Sequence, residues 1–179
     1  MKKDFARILI SKEEIAEKIK EVAAQITADY QGQSVLFVCI LKGSVHFYSD
    51  LTREIDLPLT MDFMSISSYG AGTTSSGEVK MLKDLDKSIC GKHVIIVEDI
   101  IDSGNTLYNL KNLLATRNPA SVKICAFLDK PDRRLREVAV DYVGYAIPDE
   151  FVVGYGLDYN EDFRTLPDVR ILSRSVYEK

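Results

Sequence analysis

The sequence predicts an α/β protein in which helices cover both faces of a mostly parallel central sheet. Two largely apolar runs, Val35–Leu41 and His93–Glu98, are typical of strands that are buried on both sides. Each run leads into a short turn and then into apolar residues at helical spacing. Strands that alternate with helices of this length are joined by crossover connections, so we expect neighbouring strands to run parallel.

The first predicted element is a helix from about Ser11 to Asp29. Ser11 is followed three residues later by Glu14, which is the spacing of a capping box. Apolar residues then recur every three or four positions, as one buried helix face requires: Ile15, Ile19, Val22, Ala23 and Ile26. The helix leads through Gly32 into the first buried strand.

A second helix and two strands are predicted after that strand. The turn at 42–44 precedes a helical pattern that ends before Pro58. Alternating apolar residues over Leu59–Ile66 and again at 79–81 predict two further strands.

The remaining chain gives one more helix and strand before the pattern weakens. Leucines at helical spacing after residue 105 predict a helix that ends before Pro119, and Val122–Leu128 predicts a strand. From Pro131 on, only short strand patterns remain, which predicts a small appendage on the sheet. We therefore expect a single domain over residues 1–179.

The composition excludes several functional classes. The chain has 179 residues and a formal net charge of −4, and 46% of its residues are hydrophobic, which is ordinary for a globular domain. No block of lysine or arginine is present, so we expect no nucleic-acid partner. No apolar stretch approaches the roughly 20 residues that cross a bilayer, so we expect a cytoplasmic protein without a membrane partner.

The three cysteines do not indicate a disulfide framework or a zinc site. Cys39, Cys90 and Cys125 are an odd number without C-x-x-C spacing. We expect all three to be buried thiols, and neither Cys39 nor Cys125 is a candidate nucleophile.

The most informative segment joins the strand at 93–98 to the following helix. It contains three carboxylates, one glycine and two hydroxyls within nine residues, Glu98–Thr106. In an open α/β sheet, ligands bind beyond the carboxyl ends of the strands, and the free N–H groups of a helix N-terminus favour an anion there. The residues suited to hold a phosphate are Ser103, Gly104, Asn105 and Thr106.

The acids in this segment require a further explanation, because Glu98, Asp99 and Asp102 would repel a nearby anion. Sugar hydroxyls, or a hard cation such as Mg²⁺ shared with ligand oxygens, would resolve the conflict, and a phosphorylated sugar satisfies both conditions. The alternative is that Asp102 and Ser103 only cap the helix and that the other two acids are solvated. That alternative explains poorly why two adjacent acids end an otherwise apolar strand.

The segment Val94–Thr106 resembles the phosphoribosyl-pyrophosphate loop of type I phosphoribosyltransferases. With Leu41–Ser44, Leu128–Pro131 and Phe151–Tyr159, nearly the whole chain is similar to the 6-oxopurine branch of that family, the bacterial hypoxanthine phosphoribosyltransferases. The resemblance implies the type I phosphoribosyltransferase fold with a small hood built from terminal segments. It also implies Mg²⁺-dependent purine salvage, with transfer of the 5-phosphoribosyl group from phosphoribosyl pyrophosphate to hypoxanthine and to guanine.

The resemblance assigns donor-site roles to individual residues. Glu98 and Asp99 would bind the ribose hydroxyls and the associated Mg²⁺, and residues 103–106 would bind the 5-phosphate. The turn at Lys42 carries an unusual cis peptide in this family. The residues implied to meet pyrophosphate are Lys42, Gly43 and Arg164. A solvated turn lysine and a surface ion pair remain as alternatives for the first and last of these.

The resemblance also assigns the purine site. Asp102 would lie beside N7 and act as the general acid and base. Lys130 would donate to the 6-oxygen, and because an ammonium is only a donor, adenine's 6-amino group would have no partner. Phe151 would stack on the purine, Val152 would offer its main chain, and Asp158 would bind near the base and help to hold a second Mg²⁺. A surface lysine and a core aromatic are the ordinary alternatives for Lys130 and Phe151.

Residues 67–77 are predicted to form a flexible lid. They are small or polar apart from Tyr69, and long loops inside compact domains are often active-site lids. Such a loop would close over the site and exclude water, with Ser68 and Tyr69 as contacts. An unconstrained surface loop is the alternative.

Two other functional classes remain open at this point. A non-catalytic regulator on the same fold would bind RNA or DNA through a basic face, and the richest basic cluster is Lys130, Arg133, Arg134 and Arg136. A phosphoacceptor signalling domain would also place adjacent acids and Mg²⁺ at a strand end, but it would leave the lid without a purpose. The family suggests a homodimer or homotetramer.

Overall fold

A six-stranded sheet forms the centre of the structure. The computed structural model describes residues 4–68 and 79–177. In chain order its elements are β1 (Phe5–Ile10), α1 (Lys12–Asp29), β2 (Val35–Leu41), α2 (Val45–Glu54), β3 (Leu59–Ser68), β4 (Val79–Lys83), β5 (His93–Ile101), α3 (Asn105–Ala115), β6 (Ser121–Asp129), β7 (Tyr142–Ala146), β8 (Val152–Val153), β9 (Val169–Leu172) and α4 (Arg174–Tyr177). The main sheet has the order β4-β3-β2-β5-β6-β7, and every neighbouring pair except β3 with β4 is parallel.

Helices cover both faces of this sheet, as the sequence predicts. Alternate side chains of β2 point to opposite faces: Val35, Phe37 and Cys39 pack in the layer that contains α1 and α2, and Leu36, Val38 and Ile40 pack in the layer that contains α3. Because both layers are apolar, every position of the strand can be hydrophobic, which explains its continuous apolar sequence.

The first helix begins at the capping box that the sequence predicts. The Glu14 N–H donates to Ser11 Oγ at 3.3 Å, and the Ser11 N–H donates to Glu14 Oε2 at 2.8 Å. The two residues therefore satisfy each other's backbone donors at the helix start. The predicted apolar face is buried at all five of its positions: Ile15, Ile19, Val22, Ala23 and Ile26.

The hood differs in part from the appendage predicted after Pro131. It is an antiparallel sheet of order β1-β9-β8, so its first strand comes from the N-terminal segment. The strand β7, which the sequence analysis placed in the appendage, instead pairs in parallel with β6 at the edge of the main sheet. Sequence patterns missed β1 because only one of its six residues is buried and the six lack a clear apolar alternation.

The strand β5 is longer than predicted. It continues through Ile101 and stays paired with β6, where Ile100 lies opposite Leu128 and Ile101 opposite Asp129. Glu98 and Asp99 consequently belong to a strand of the central sheet, although the sequence analysis ended the strand at Glu98. Helix α3 then begins at Asn105.

Two of the three cysteines lie in the core, as predicted. Cys39 and Cys125 are buried, and burial raises the pKa of both thiols, that of Cys39 to about 11. The prediction is wrong for Cys90, which is exposed in the segment before β5.

The structure describes only a small part of the predicted lid. Tyr69 and residues 70–77 lie outside the described residues, and the backbone of residues 67 and 68 forms the end of β3.

Among the helices of the described ranges, none combines the length and the apolar character needed to span a bilayer.

The capping box gives a stability prediction. Ser11→Ala removes the side-chain acceptor for the Glu14 N–H, and we expect a loss of about 1 kcal/mol in the free energy of unfolding. Glu14→Ala should give a similar loss, and urea unfolding of both single variants and the double variant measures the coupling. Because the two bonds are reciprocal, the double variant should lose less than the sum, and strictly additive losses would contradict the cooperative box.

Candidate active site

The junction of β5 and α3 is open at the helix start. The N-cap residue is Gly104, with a φ of +81°, and no side chain caps the helix. A Cβ at Gly104 would lie 2.6 Å from the Arg136 carbonyl oxygen, so the close approach of the two backbones also requires glycine. Ser103 Oγ makes only a long contact of 3.4 Å with the Asn105 N–H. Because Gly104 occupies the N-cap position, neither Asp102 nor Ser103 is the N-cap residue, and the helix N-terminus is left without an N-cap side chain.

Two acids lie side by side just before this junction. Glu98 and Asp99 are partly buried in β5, and Glu98 Oε2 is buried without a hydrogen-bond partner among the described residues. Burial, followed by the neighbouring Asp99, raises the pKa of Glu98 well above its usual value. Burial also raises the pKa of Asp99, although the Ile100 N–H donates to Asp99 Oδ1 at 2.8 Å and opposes that shift. The alternative that both acids are solvated is wrong.

Glycines allow the turn after β2 to reach this acid pair. The peptide between Leu41 and Lys42 is cis, as the family resemblance implies. A Cβ on Gly43 would collide with the Asp99 carboxylate, and a Cβ on Gly156 would collide with the Gly43 carbonyl oxygen. Gly156 also has a φ of +102°. Three separate segments thus meet through backbone that only glycine permits.

The predicted pyrophosphate residues lie around a cleft beside the acids. Its volume is about 270 Å³, and its lining brings together the three predicted pyrophosphate residues and the three predicted metal ligands: Lys42, Gly43, Arg164, Glu98, Asp99 and Asp158. Thr106 also lines this cleft. An adjacent pocket of about 130 Å³ is lined by Asp102, Ser103, Gly104 and Thr106, together with Glu98.

The two predicted pyrophosphate cations are already paired with carboxylates. Lys42 Nζ lies 3.0 Å from Glu161 Oε2, and 67% of the lysine side chain is exposed. Arg164 Nη2 lies 2.8 Å from Asp158 Oδ1, and Arg164 Nη1 donates to the Gly156 carbonyl at 2.8 Å. Since only 22% of the Arg164 side chain is exposed, a simple surface ion pair does not describe it.

Lys130 is buried near Asp102. Burial lowers the pKa of Lys130, and the negative charges of Asp102 and Asp149 oppose that shift. Its Nζ lies 3.9 Å from Asp149 Oδ1. The ordinary alternative of a surface lysine is wrong. Asp102 itself is paired with Arg133, whose Nε lies 2.8 Å from Asp102 Oδ1.

The predicted purine-stacking residue is not among those that line the two clefts. Phe151 is 37% exposed, so it is not a core aromatic. Tyr177 stacks on its ring at a centroid distance of 5.1 Å, and Tyr159 contacts it edge-on at 5.6 Å. Val152 is buried and pairs with Ile171 between β8 and β9. The stacking of Phe151 on a purine stays a prediction.

Comparison with known proteins places this arrangement in a family. A family model described as a phosphoribosyl transferase domain matches residues 9–160. The chain belongs to the phosphoribosyltransferase family. The hypoxanthine-guanine phosphoribosyltransferase of Streptococcus thermophilus is 50% identical over 179 residues, which cover 100% of this chain and 99% of that protein. The enzyme of the same name from Bacillus subtilis is 51% identical over 178 residues, 99% of each chain.

Solved phosphoribosyltransferase structures are similar to this chain in fold as well as in sequence. A crystal structure of a hypoxanthine phosphoribosyltransferase from Staphylococcus aureus matches with a TM-score of 0.97 at 49% identity, covering 100% of this chain and 97% of that chain. A hypoxanthine-guanine phosphoribosyltransferase from Bacillus anthracis matches with a TM-score of 0.92 at 48% identity, covering 95% of this chain and 100% of that chain. The resemblance to the 6-oxopurine branch is thereby confirmed.

The carboxylates of this phosphoribosyltransferase fit a Mg²⁺ ion that is shared with a substrate. In the described ranges, no three or more histidine, cysteine, aspartate or glutamate side chains are arranged to hold a metal by themselves. Asp158 is instead paired with Arg164. Mg²⁺ is commonly bound by one or two carboxylates together with substrate phosphates and water. The unpartnered buried oxygen of Glu98, next to Asp99, suits that mode.

Sequence reasoning missed several charged residues of this phosphoribosyltransferase site. Glu161, Arg133 and Asp149 form ion pairs with residues that the sequence analysis selected. Glu161 follows Asp158 by three positions, and this proximity to a selected motif was the one available signal. Arg133 was considered only as part of a basic cluster.

The buried acid pair predicts a stabilising substitution. Because the folded state raises the pKa of Glu98, it binds a proton more tightly than the unfolded chain, and stability falls as pH rises through the folded-state pKa. Glu98→Gln removes that buried charge and should raise the unfolding temperature of the ligand-free protein by roughly 2–4 °C at about pH 8. Thermal unfolding of both proteins should be measured between about pH 5 and pH 8. The difference in unfolding temperature should be largest near pH 8 and should shrink as the pH is lowered and Glu98 becomes protonated. A pH-independent difference would contradict this explanation.

Proposed function

We propose that this protein transfers the 5-phosphoribosyl group from phosphoribosyl pyrophosphate to hypoxanthine and to guanine, releasing pyrophosphate. The observation that carries the proposal is the uncapped N-terminus of α3 directly after two buried acids. An anion site beside carboxylates that can accept hydrogen bonds from sugar hydroxyls suits a phosphorylated sugar. The hypoxanthine-guanine phosphoribosyltransferases that share about half of the residues over the full chain support the same reaction.

The donor is bound at the β5–α3 junction. The N–H groups of residues 103–106 and the hydroxyls of Ser103 and Thr106 hold the 5-phosphate, aided by the positive end of the helix dipole. Glu98 and Asp99 accept hydrogen bonds from the ribose hydroxyls. Mg²⁺ held by these two carboxylates, and a second Mg²⁺ held with the help of Asp158 near the base, would screen the carboxylate charge from the donor and neutralise donor oxygens.

The leaving group gains negative charge as the C1–O bond breaks. Lys42 and Arg164 line the cleft beside the acids and stabilise that charge as it develops. The backbone of Gly43 lies against Asp99, which brings the leaving-group turn close to the ribose site. Electrostatic stabilisation of this kind requires cations that are in place before the bond breaks.

The purine is recognised and deprotonated by a second set of residues. Asp102 takes the N7 proton as the purine attacks C1 of the donor ribose, and it returns the proton in the reverse reaction. Lys130 donates to the 6-oxygen, so adenine would leave the ammonium without an acceptor. Burial of Lys130 makes an unpaired donor more costly, and Phe151 and Val152 supply ring stacking and main-chain contacts.

The two rival classes are not supported. The basic cluster that a nucleic-acid binder would use is largely neutralised, because Lys130 is buried, Arg133 pairs with Asp102 and Arg134 pairs with Asp129. A phosphoacceptor domain would leave the cations of the adjacent cleft without a role.

The proposal also covers the assembly and location of the protein. It is a single-domain, cytoplasmic enzyme that forms a homodimer or a homotetramer, as the family resemblance implies.

The direct test is a spectrophotometric assay with four bases. Hypoxanthine and guanine should be converted in the presence of phosphoribosyl pyrophosphate and Mg²⁺, and adenine should not. Xanthine measures how strictly the 2-position is recognised. Removal of Mg²⁺ with a chelator should abolish turnover and its return should restore it. Absence of turnover with both hypoxanthine and guanine would overturn the proposal.

The proposed acid and base can be tested by Asp102→Asn. This change keeps the shape of the side chain but removes its ability to accept the N7 proton, so kcat should fall by at least about 100-fold. The KM for phosphoribosyl pyrophosphate should change little. Asp149→Asn is the matched control, because Asp149 also pairs with Arg133 but has no proposed role at N7. An equal loss of kcat in both variants would point to the ion-pair network instead.

The proposed purine donor can be tested by Lys130→Met, which keeps a long side chain without a hydrogen-bond donor. The KM for hypoxanthine should rise by roughly 10- to 100-fold, because the 6-oxygen would lose a charged partner. The KM for phosphoribosyl pyrophosphate should stay within about twofold. Steady-state kinetics with each substrate varied in turn separate the two values, and an unchanged hypoxanthine KM would remove the assigned role.

A further inference from the structure

One carboxylate contacts both cations of the leaving-group cleft. Glu161 Oε2 lies 3.0 Å from Lys42 Nζ, and Glu161 Oε1 lies 3.4 Å from Arg164 Nη2. The two oxygens of a single side chain therefore span the gap between Lys42 and Arg164. A pyrophosphate group that binds both cations would compete with this carboxylate for the same charged groups.

The backbone around Glu161 is shaped to present this side chain. The Glu161 N–H donates to Asp158 Oδ2 at 2.9 Å, and Tyr159 and Asp162 exchange backbone hydrogen bonds of 3.2 and 3.0 Å. Glu161 has a φ of +69°, which is uncommon for a residue with a side chain. The carboxylate thus projects from a hydrogen-bonded turn whose first residue, Asp158, itself pairs with Arg164.

The contact with Lys42 is charged and readily displaced. An exposed glutamate carboxylate is ionised at neutral pH, so the pair with Lys42 joins two full charges. Both partners are mostly exposed, at 67% for Lys42 and 66% for Glu161. Exposed ion pairs contribute little to stability, so a polyanion such as pyrophosphate can replace the glutamate without disturbing the fold.

We propose that Glu161 is a positioning residue that occupies the pyrophosphate cations when the cleft holds no ligand. It keeps Lys42 and Arg164 directed into the cleft, is displaced when the donor binds, and returns to both cations as pyrophosphate leaves. By competing with pyrophosphate, it weakens product binding and favours release. This inference rests on the proposed function, since it takes Lys42 and Arg164 as the leaving-group contacts.

The substitution Glu161→Gln tests the inference through the sign of its effect. Gln keeps the size of the side chain but removes the competing charge, so the inhibition constant for pyrophosphate should fall by roughly three- to tenfold. The KM for phosphoribosyl pyrophosphate should fall in the same direction, and the KM for hypoxanthine should not change. If Glu161 serves only to hold the turn, both constants for the phosphorylated ligands should rise, which would overturn the inference.

Asp162→Asn provides the matched control. It lies next to Glu161 in the same turn and removes the same charge, but no ion pair joins it to Lys42 or Arg164, both of which the structure describes. We expect less than a twofold change in the inhibition constant for pyrophosphate for this variant. A gain in affinity equal to that of Glu161→Gln would mean that net charge alone is responsible, and the inference would fail.

Calorimetry separates this inference from the proposed function. Titration of pyrophosphate with Mg²⁺ into wild-type protein and both variants measures affinity without any turnover. If the wild-type protein catalyses no transfer to either purine, the proposed function fails, whatever the variants show. If the wild-type protein is active but Glu161→Gln binds pyrophosphate no more tightly, only the role of Glu161 fails.

Discussion

The burial of two adjacent carboxylates at the end of a central strand is the constraint on which the site depends. Glu98 and Asp99 lie in β5, where the surrounding protein disfavours their charged forms. An apolar strand would fold more easily, so the two acids favour a ligand-binding role in which the bound ligand compensates for their burial. The neighbouring features fit that ligand: glycines that leave room beside Asp99, a helix without a cap, and cations across the cleft.

Most of the central sheet could be predicted because its strands and helices carry local patterns. Burial on both faces makes β2 continuously apolar, and the capping box marks the start of α1. The strand β1 could not be predicted, since its order comes from pairing with β9, more than 150 residues later in the chain. The end of β5 was missed for a related reason, because the pairing with β6 carries the strand past Asp99 to Ile101, where a local pattern indicates a turn.

The candidate site likewise contains some features that the sequence predicts and others that it does not. Residues 98–106 were predictable because one contiguous segment supplies the acids, the glycine and the helix start. The burial of Lys130 and the pairing of Asp102 with Arg133 were not, because both depend on how the segment after β6 folds against the junction. Glu161 was missed because it reaches Lys42 across 119 positions of sequence. Family resemblance supplied individual roles but not these contacts among the side chains.

The backbone contact between Gly43 and Gly156 has a mechanical consequence. Where side chains separate two loops, rotamer changes absorb small displacements, but here one main chain rests directly on the other. The Gly156 carbonyl also accepts a hydrogen bond from Arg164. A shift of the turn at Gly43 would therefore be passed to the loop that follows β8, which carries Arg164. Under the proposed function, Lys42 and Arg164 would thus move relative to the pyrophosphate together, because their two loops are joined by rigid backbone contact.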